Sequence, residues 1–136
     1  QQLDDFIAAT EVLGVPCYVA YGNHELRSAE CLQVLEQRIG PIYFAFSHGN
    51  SRFYVLNTYI PGETGRITGE QLAWLRADLA AEGAQAAHRF VFFHAPMFSP
   101  MNDMGKRKWG DPENLQELQR LFADSDVDAV FNGHDH

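Results

Sequence analysis

The chain has 136 residues, of which 46% are hydrophobic and 21% charged, as expected for one small globular domain. Its formal net charge is −8, and because an acidic surface repels polyanions, nonspecific binding to nucleic acid is disfavoured. No apolar run approaches the roughly 20 residues that a membrane-spanning helix needs, so no membrane partner is expected.

Helices and strands are predicted to alternate along the chain. Apolar residues at helical spacing predict one helix from Leu3 to Leu13, stopped by Gly14, and another over Ser28–Ile39. The other two helices carry inward-facing stripes: one capped by Thr68 with Leu72, Leu75 and Leu79, and one starting at Asp111-Pro112 with Leu115, Leu118 and Phe122. The predicted strands are Val15–Tyr21, Tyr43–Ser47, Arg52–Asn57, His88–Phe93 and a buried strand over Val127–Phe131.

This order predicts an α/β sandwich with a mixed sheet. Strands that alternate with helices favour parallel pairing, whereas the turn His48-Gly49-Asn50 predicts a hairpin. Cys17 and Cys31 are predicted to be buried free thiols rather than a disulfide or a metal-binding pair.

Polar side chains follow three of the predicted strands. Asn23, His94 and His134 each come directly after an apolar run, at strand ends where open α/β sheets bind ligands. A single histidine in such a position is more often a hydrogen-bonded core or loop residue. Three together suit one metal ion, because imidazoles and an amide oxygen are metal ligands, and His136 could reach a neighbouring ion.

These residues lie in motifs that resemble the calcineurin-like metallophosphoesterase superfamily. Gly22-Asn23-His24-Glu25, His94 and Gly133-His134-Asp135-His136 are similar to its third, fourth and fifth motifs, in the expected order. The resemblance covers essentially the whole chain. It leaves the branch open. The stretch from Ile60-Pro61-Gly62 through Gln71, Trp74 and Leu75 resembles cyclic-nucleotide and glycerophosphodiester phosphodiesterases, whereas Phe131-Asn132 together with Asp135 is similar to purple acid phosphatases.

The first two family motifs are absent from this chain. Neither Asp-x-His nor Gly-Asp-x-x occurs before Asn23, so the resemblance implies a single partial metallophosphoesterase domain over residues 1–136, with its N-terminal strands missing. Those motifs supply an aspartate and a histidine of one metal and the aspartate that bridges both. The chain is therefore expected to be a fragment or the later part of a longer protein.

The resemblance implies a phosphodiesterase or phosphomonoesterase with two divalent or trivalent ions, such as Mn, Fe or Zn. Asn23, His94 and His134 would bind one ion and His136 the other. Two ions about 3.5–4 Å apart clamp phosphate oxygens and lower the pKa of a bound water, which attacks the phosphorus of a small-molecule phosphoester as hydroxide. His24 would protonate the leaving oxygen or stabilise its charge.

Two further groups of residues have alternative predicted roles. Glu25 is expected to orient imidazoles, and Asp135 either does the same or forms a turn. Lys106-Arg107-Lys108 and Trp109 could steer a phosphate and stack on its leaving group, although a solvated loop with one packed aromatic is favoured.

A catalytically inactive interaction scaffold, as in the retromer subunit of this fold, and a mononuclear metal-binding domain are the alternative functions. The oligomeric state stays undetermined.

Overall fold

The computed structural model describes residues 2–26, 28–98 and 109–135. The helices are α1 (Gln2–Glu11), α2 (Ala29–Arg38), α3 (Gly69–Ala80), α4 (Glu82–Gln85) and α5 (Pro112–Asp124). The strands are β1 (Phe44–His48), β2 (Ser51–Val55), β3 (His88–Phe93) and β4 (Ala129–Asn132). The mixed α/β fold predicted from the sequence is confirmed. None of the helices in these ranges is long and apolar enough to cross a membrane.

The four strands form one sheet in the order β1-β2-β3-β4. β1 pairs antiparallel with β2 through a two-residue turn, Gly49-Asn50, in which Gly49 has φ +59°. β2, β3 and β4 are parallel, so their carboxyl ends meet at the same edge of the sheet. The residues that follow these three strands are therefore brought close together.

Helix starts follow the sequence signals closely. The Ser28 hydroxyl accepts a hydrogen bond from the Cys31 N–H at 3.3 Å, and the Asp111 carboxylate accepts from two N–H groups of α5, which has Pro112 in its first turn. Thr68 stands at the N-cap of α3, but among the described residues its side chain makes no capping hydrogen bond. The predicted N-cap position is therefore confirmed, without the side-chain hydrogen bond.

The main core lies between the sheet and helices α3 and α5. Tyr54 and Val91 on the sheet are fully buried against Leu75 of α3 and Leu118 of α5. The inward stripes predicted for both helices are therefore confirmed, and the helices cover one face of the sheet.

The opposite face of the sheet is a row of aromatic rings. Phe46 stacks on Phe53 with centroids 5.0 Å apart, and Phe53 contacts Phe90 at 5.4 Å. Phe131, on the edge strand β4, stacks on Phe92 and is 50% exposed. The prediction that the last strand is buried is thus wrong, because β4 has a neighbour on one side only within the described sheet.

The segment predicted as a strand before Asn23 is irregular. In the described part of the chain no strand pairs with residues 15–21, and a strand without ladder partners has no fixed hydrogen bonding. Most of the segment is exposed, although Tyr21 is buried. Cys17 and Cys31 are free, as predicted, but exposed rather than buried.

Candidate metal centre

Three polar residues meet beyond the carboxyl ends of β3 and β4. His94 directly follows β3, and His134 follows β4 after one glycine. Because β3 and β4 are parallel neighbours, both imidazoles emerge at the same edge of the sheet. Asn23 reaches the same point from the turn that ends the irregular segment. It converges with the two histidines even though it follows no strand.

The donor atoms of these three residues form a nearly equilateral triangle. His94 Nε2 lies 3.1 Å from Asn23 Oδ1 and 3.1 Å from His134 Nδ1. His134 Nδ1 lies 3.2 Å from Asn23 Oδ1. Side chains separated by as many as 111 positions in the sequence thus direct their polar atoms at one another.

Hydrogen bonding cannot satisfy all three sides of this triangle. Each imidazole nitrogen offers either one proton or one lone pair, so at most two of the three contacts can be hydrogen bonds, whichever way the amide is turned. A cation satisfies all three lone pairs at once. The arrangement is therefore better suited to holding an ion than to a closed hydrogen-bond network.

The spacing and the chemistry of the donors fit a transition-metal ion. Two ligand atoms about 2.1 Å from an ion lie about 3.0 Å apart when they subtend a right angle, close to the observed distances. Two imidazoles with an amide oxygen suit Zn, Fe or Mn. Among the described residues no group of three or more His, Cys, Asp or Glu side chains is placed to hold a metal ion, so the candidate site depends on the amide as its third donor.

Two glycines shape the surroundings of His94. A β-carbon at Gly22 would lie 2.8 Å from ring atoms Cε1 and Nδ1, and one at Gly133 would lie 3.3 Å from Nδ1. The Gly133 N–H also donates to the His94 carbonyl at 3.1 Å. Glu25, expected to orient an imidazole, accepts a hydrogen bond from the Gly22 N–H at 3.0 Å. It thereby stabilises the turn against which the His94 ring packs.

His134 is held in an unusual backbone conformation. Its φ is +73°, in the left-handed region that non-glycine residues rarely adopt. The Asp135 N–H closes a tight turn by donating to the Gly133 carbonyl at 2.9 Å. Local strain of about 1–3 kcal/mol of this kind concentrates at functional sites, and here it directs an imidazole into the cluster.

His24, the predicted acid, is exposed and borders a cavity of about 750 Å³. His94, Gly22 and Glu25 line the same cavity, whose remaining wall is largely apolar and includes Phe6. The structure therefore brings His24 to the space beside the triangle but not into it.

Tyr59 is a neighbour of the site that sequence reasoning missed. Its ring centroid lies 5.7 Å from that of His94 and 5.9 Å from that of His134. Burial raises the pKa of the Tyr59 phenol, and the charge of Asp135 raises it further. The available signal was topological: Tyr59 follows β2, which runs parallel to β3 and ends at the same edge.

The remaining predicted site residues divide into two groups. His136 and Lys106-Arg107-Lys108 lie outside the described residues. Trp109 is buried, donates a hydrogen bond to Asn114 Oδ1 at 3.2 Å and packs edge-on against Phe93. It is a core residue, as the favoured interpretation of that loop expected, and is not available to stack on a substrate.

Comparisons of the sequence with protein-family models and with known proteins agree on one family. The calcineurin-like phosphoesterase family model matches residues 1–136. The chain is 32% identical over 130 residues to the rat serine/threonine-protein phosphatase CPPED1, covering 90% of this chain and 42% of the relative. It is 29% identical over 136 residues to purple acid phosphatase 23 of Arabidopsis thaliana, covering 90% of this chain and 28% of that protein.

A solved structure of a purple acid phosphatase has the same fold. The purple acid phosphatase PPD1 from yellow lupin seeds superimposes with a TM-score of 0.77 at 22% identity, covering 99% of this chain and 28% of the lupin protein. The chain thus spans less than half the length of these relatives.

Proposed function

The chain belongs to the calcineurin-like phosphoesterase family, and on that premise we propose that the protein containing it is a metal-dependent hydrolase of phosphoesters. The relatives named above are phosphatases by name, which supports this reaction class. The substrate is a small phosphoester, and an overall charge of −8 is unfavourable for a polyanionic one.

The observation that carries the proposal is the triangle of donor atoms. Asn23, His94 and His134 would hold one ion, and His136 would contribute to a second. Such a pair of ions, of Mn, Fe or Zn, would polarise the phosphate oxygens and lower the pKa of a bound water. The residues of this chain would position the ligands. Gly22 and Gly133 leave space for the His94 ring, and the strained turn directs the imidazole of His134 toward the other two donors.

His24 acts on the leaving group. It adjoins Asn23 in sequence and opens on the cavity that reaches His94. An exposed imidazole there can give a proton to the departing oxygen as the phosphoester bond breaks, and can regain it from water in the next cycle.

The test of the metal assignment is His94→Ala in the full-length protein. Removing one of three donors should lower both the metal content, measured by mass spectrometry, and the hydrolysis of a generic aryl phosphate. The control is His48→Ala, because His48 is an exposed histidine of the hairpin. Unchanged metal content and activity in His94→Ala would refute the assignment.

The number of ions tests the dinuclear part of the proposal. Two ions per full-length chain, with one lost in His136→Ala, are expected. One ion per chain in both the native protein and His136→Ala would instead support the mononuclear alternative. Full metal loading without hydrolysis of any phosphoester would support the scaffold.

A further inference from the structure

We propose that Tyr59 is a positioning residue whose ring fixes the orientation of the two imidazoles in the candidate metal centre. This inference rests on the proposed function, because it concerns the same site. It adds a determinant of metal affinity that lies outside the donor set.

The geometry of the three rings is the first support. The Tyr59 ring meets His94 edge-on at an angle of 65° and meets His134 at 40°, while the two imidazoles are themselves 5.0 Å apart at 76°. Each ring therefore contacts the other two. Rotation of either imidazole about its Cβ–Cγ bond would carry ring atoms toward the phenol, so the contacts restrict the orientations in which both nitrogens face Asn23.

The anchoring of Tyr59 is the second support. Its N–H donates to Asn57 Oδ1 at 2.8 Å. Asn57 is itself fixed by Gln71, whose side-chain oxygen accepts from the Asn57 N–H at 2.7 Å and whose amide nitrogen donates to the Asn57 carbonyl at 2.9 Å. Asn57 and Gln71 are 0% and 2% exposed, so these bonds are shielded from water and hold the backbone firmly.

The third support is a direct link between the segments that carry the rings. Thr58 Oγ1 accepts a hydrogen bond from the Ala95 N–H at 3.1 Å. Thr58 precedes Tyr59 and Ala95 follows His94, so the two backbones are joined one residue away from each ring. The segments that carry the phenol and the imidazole are consequently held next to each other.

The expected consequence is a loss of metal affinity when the ring is removed. Groups that orient metal ligands without binding the metal typically contribute about 10- to 100-fold to affinity. Here the contribution should come from the shape of the ring rather than from the hydroxyl, because the contacts are ring to ring. Tyr59→Phe should therefore behave like the native protein.

The experiment measures Mn²⁺ affinity by titration and the visible absorption spectrum after Co²⁺ loading, in the full-length protein. The variants are Tyr59→Leu and Tyr59→Phe, with Tyr43→Leu as the matched control. Tyr43 is also a half-buried tyrosine, but its ring packs on Trp74. Thermal unfolding without metal is recorded for each protein, and Tyr59→Met replaces Tyr59→Leu if the latter does not fold.

The proposal expects Tyr59→Leu to bind Mn²⁺ about tenfold more weakly with an altered Co²⁺ spectrum, while Tyr59→Phe and Tyr43→Leu stay within about twofold of native. Equal affinity in Tyr59→Leu and Tyr43→Leu would overturn it. Equal losses in Tyr59→Phe and Tyr59→Leu would also overturn it, by assigning the effect to the hydroxyl. His94→Ala is titrated in parallel: if it binds metal normally, the proposed function itself fails, whereas a loss confined to His94→Ala rejects only the role of Tyr59.

Discussion

The imidazole of His94 lies directly against the backbone of Gly22. A β-carbon on residue 22 would fall within 2.8–2.9 Å of three ring atoms, a distance that real β-carbons do not tolerate. Glycine at this position therefore does more than permit a turn: it leaves room for the ring that is central to the donor triangle.

Gly22→Ala should consequently lower metal affinity. The added methyl group displaces the His94 ring and moves Nε2 away from Asn23, so we expect a loss of at least about tenfold, measured by Mn²⁺ titration of the full-length protein. Gly133→Ala is the graded comparison, because its β-carbon would approach His94 only to 3.3 Å. A larger loss in Gly133→Ala than in Gly22→Ala would contradict this account of the ring's position.

Replacement of His24 should separate chemistry from metal binding. Because His24 lies outside the triangle, His24→Ala should retain native metal content while kcat falls by about 10²- to 10⁴-fold on alkyl phosphoesters. The loss should be much smaller on p-nitrophenyl phosphoesters, whose leaving group needs no proton. Steady-state kinetics with both substrates provide the measurement, and an equal loss on the two would exclude the proton-donor role.

The pair formed by Gln71 and Asn57 should stabilise the fold. Gln71→Leu leaves the N–H and carbonyl of Asn57 buried without their partner, and each unsatisfied group costs about 1–3 kcal/mol. We expect the free energy of unfolding, measured by urea denaturation, to fall by about 2–4 kcal/mol. Gln85→Leu, at an exposed site on α4, should change it by less than about 0.5 kcal/mol.

Asp128 should make stability depend on acidity. Its carboxylate accepts a hydrogen bond from the Arg89 N–H at 2.7 Å and lies 3.3 Å from His88 Nδ1, and these contacts, the first foremost, lower its pKa below the ordinary 3.8. A lowered folded-state pKa stabilises the fold above pH 3.8, and the gain is lost as pH falls through the folded value.

Asp128→Asn should therefore be less stable than native protein at neutral pH, and the difference should shrink below pH 3.8. Chemical denaturation across the acid range measures it. Asp5→Asn, which removes the same charge from α1, is the control. A gap between native and Asp128→Asn that widens in acid would contradict the assignment.

The aromatic face of the sheet should make the isolated chain associate. Phe131 and Tyr18 are each about half exposed on that side, and apolar patches of this kind promote self-association. Sedimentation of the 136-residue chain should show concentration-dependent oligomers that Phe131→Lys reduces. Val12→Lys, at an exposed position just after α1, should leave them unchanged, and an equal effect of both changes would place the contact elsewhere.

Much of this architecture followed from the sequence because local signals agreed with the final packing. The stripe of α5 and the caps at Ser28 and Asp111 require only neighbouring residues to be recognised. The residues His94 and His134 were found because apolar runs precede them. Their spacing in the sequence does not reveal that their donor atoms lie 3.1 Å apart. That distance results from the parallel pairing of β3 and β4.

The failures arose where partners distant in sequence decide the outcome. Residues 15–21 have strand composition, yet no described strand pairs with them, and Cys17 is exposed with them. Phe131 is exposed because β4 lies at the edge of the described sheet, and the sequence of the strand alone does not reveal that position. Tyr59 and Gln71 carry no motif, and their importance depends on contacts made across the fold.

The donor triangle also has a consequence for folding. Its members are separated by 71, 40 and 111 positions, so a ligand held by all three closes two long loops of the chain at once. Closing a flexible loop carries an entropic penalty that grows only slowly with length, by about 0.6 kcal/mol per doubling. A bound ion would act as a reversible cross-link, and the unfolding midpoint would rise with the logarithm of free metal concentration.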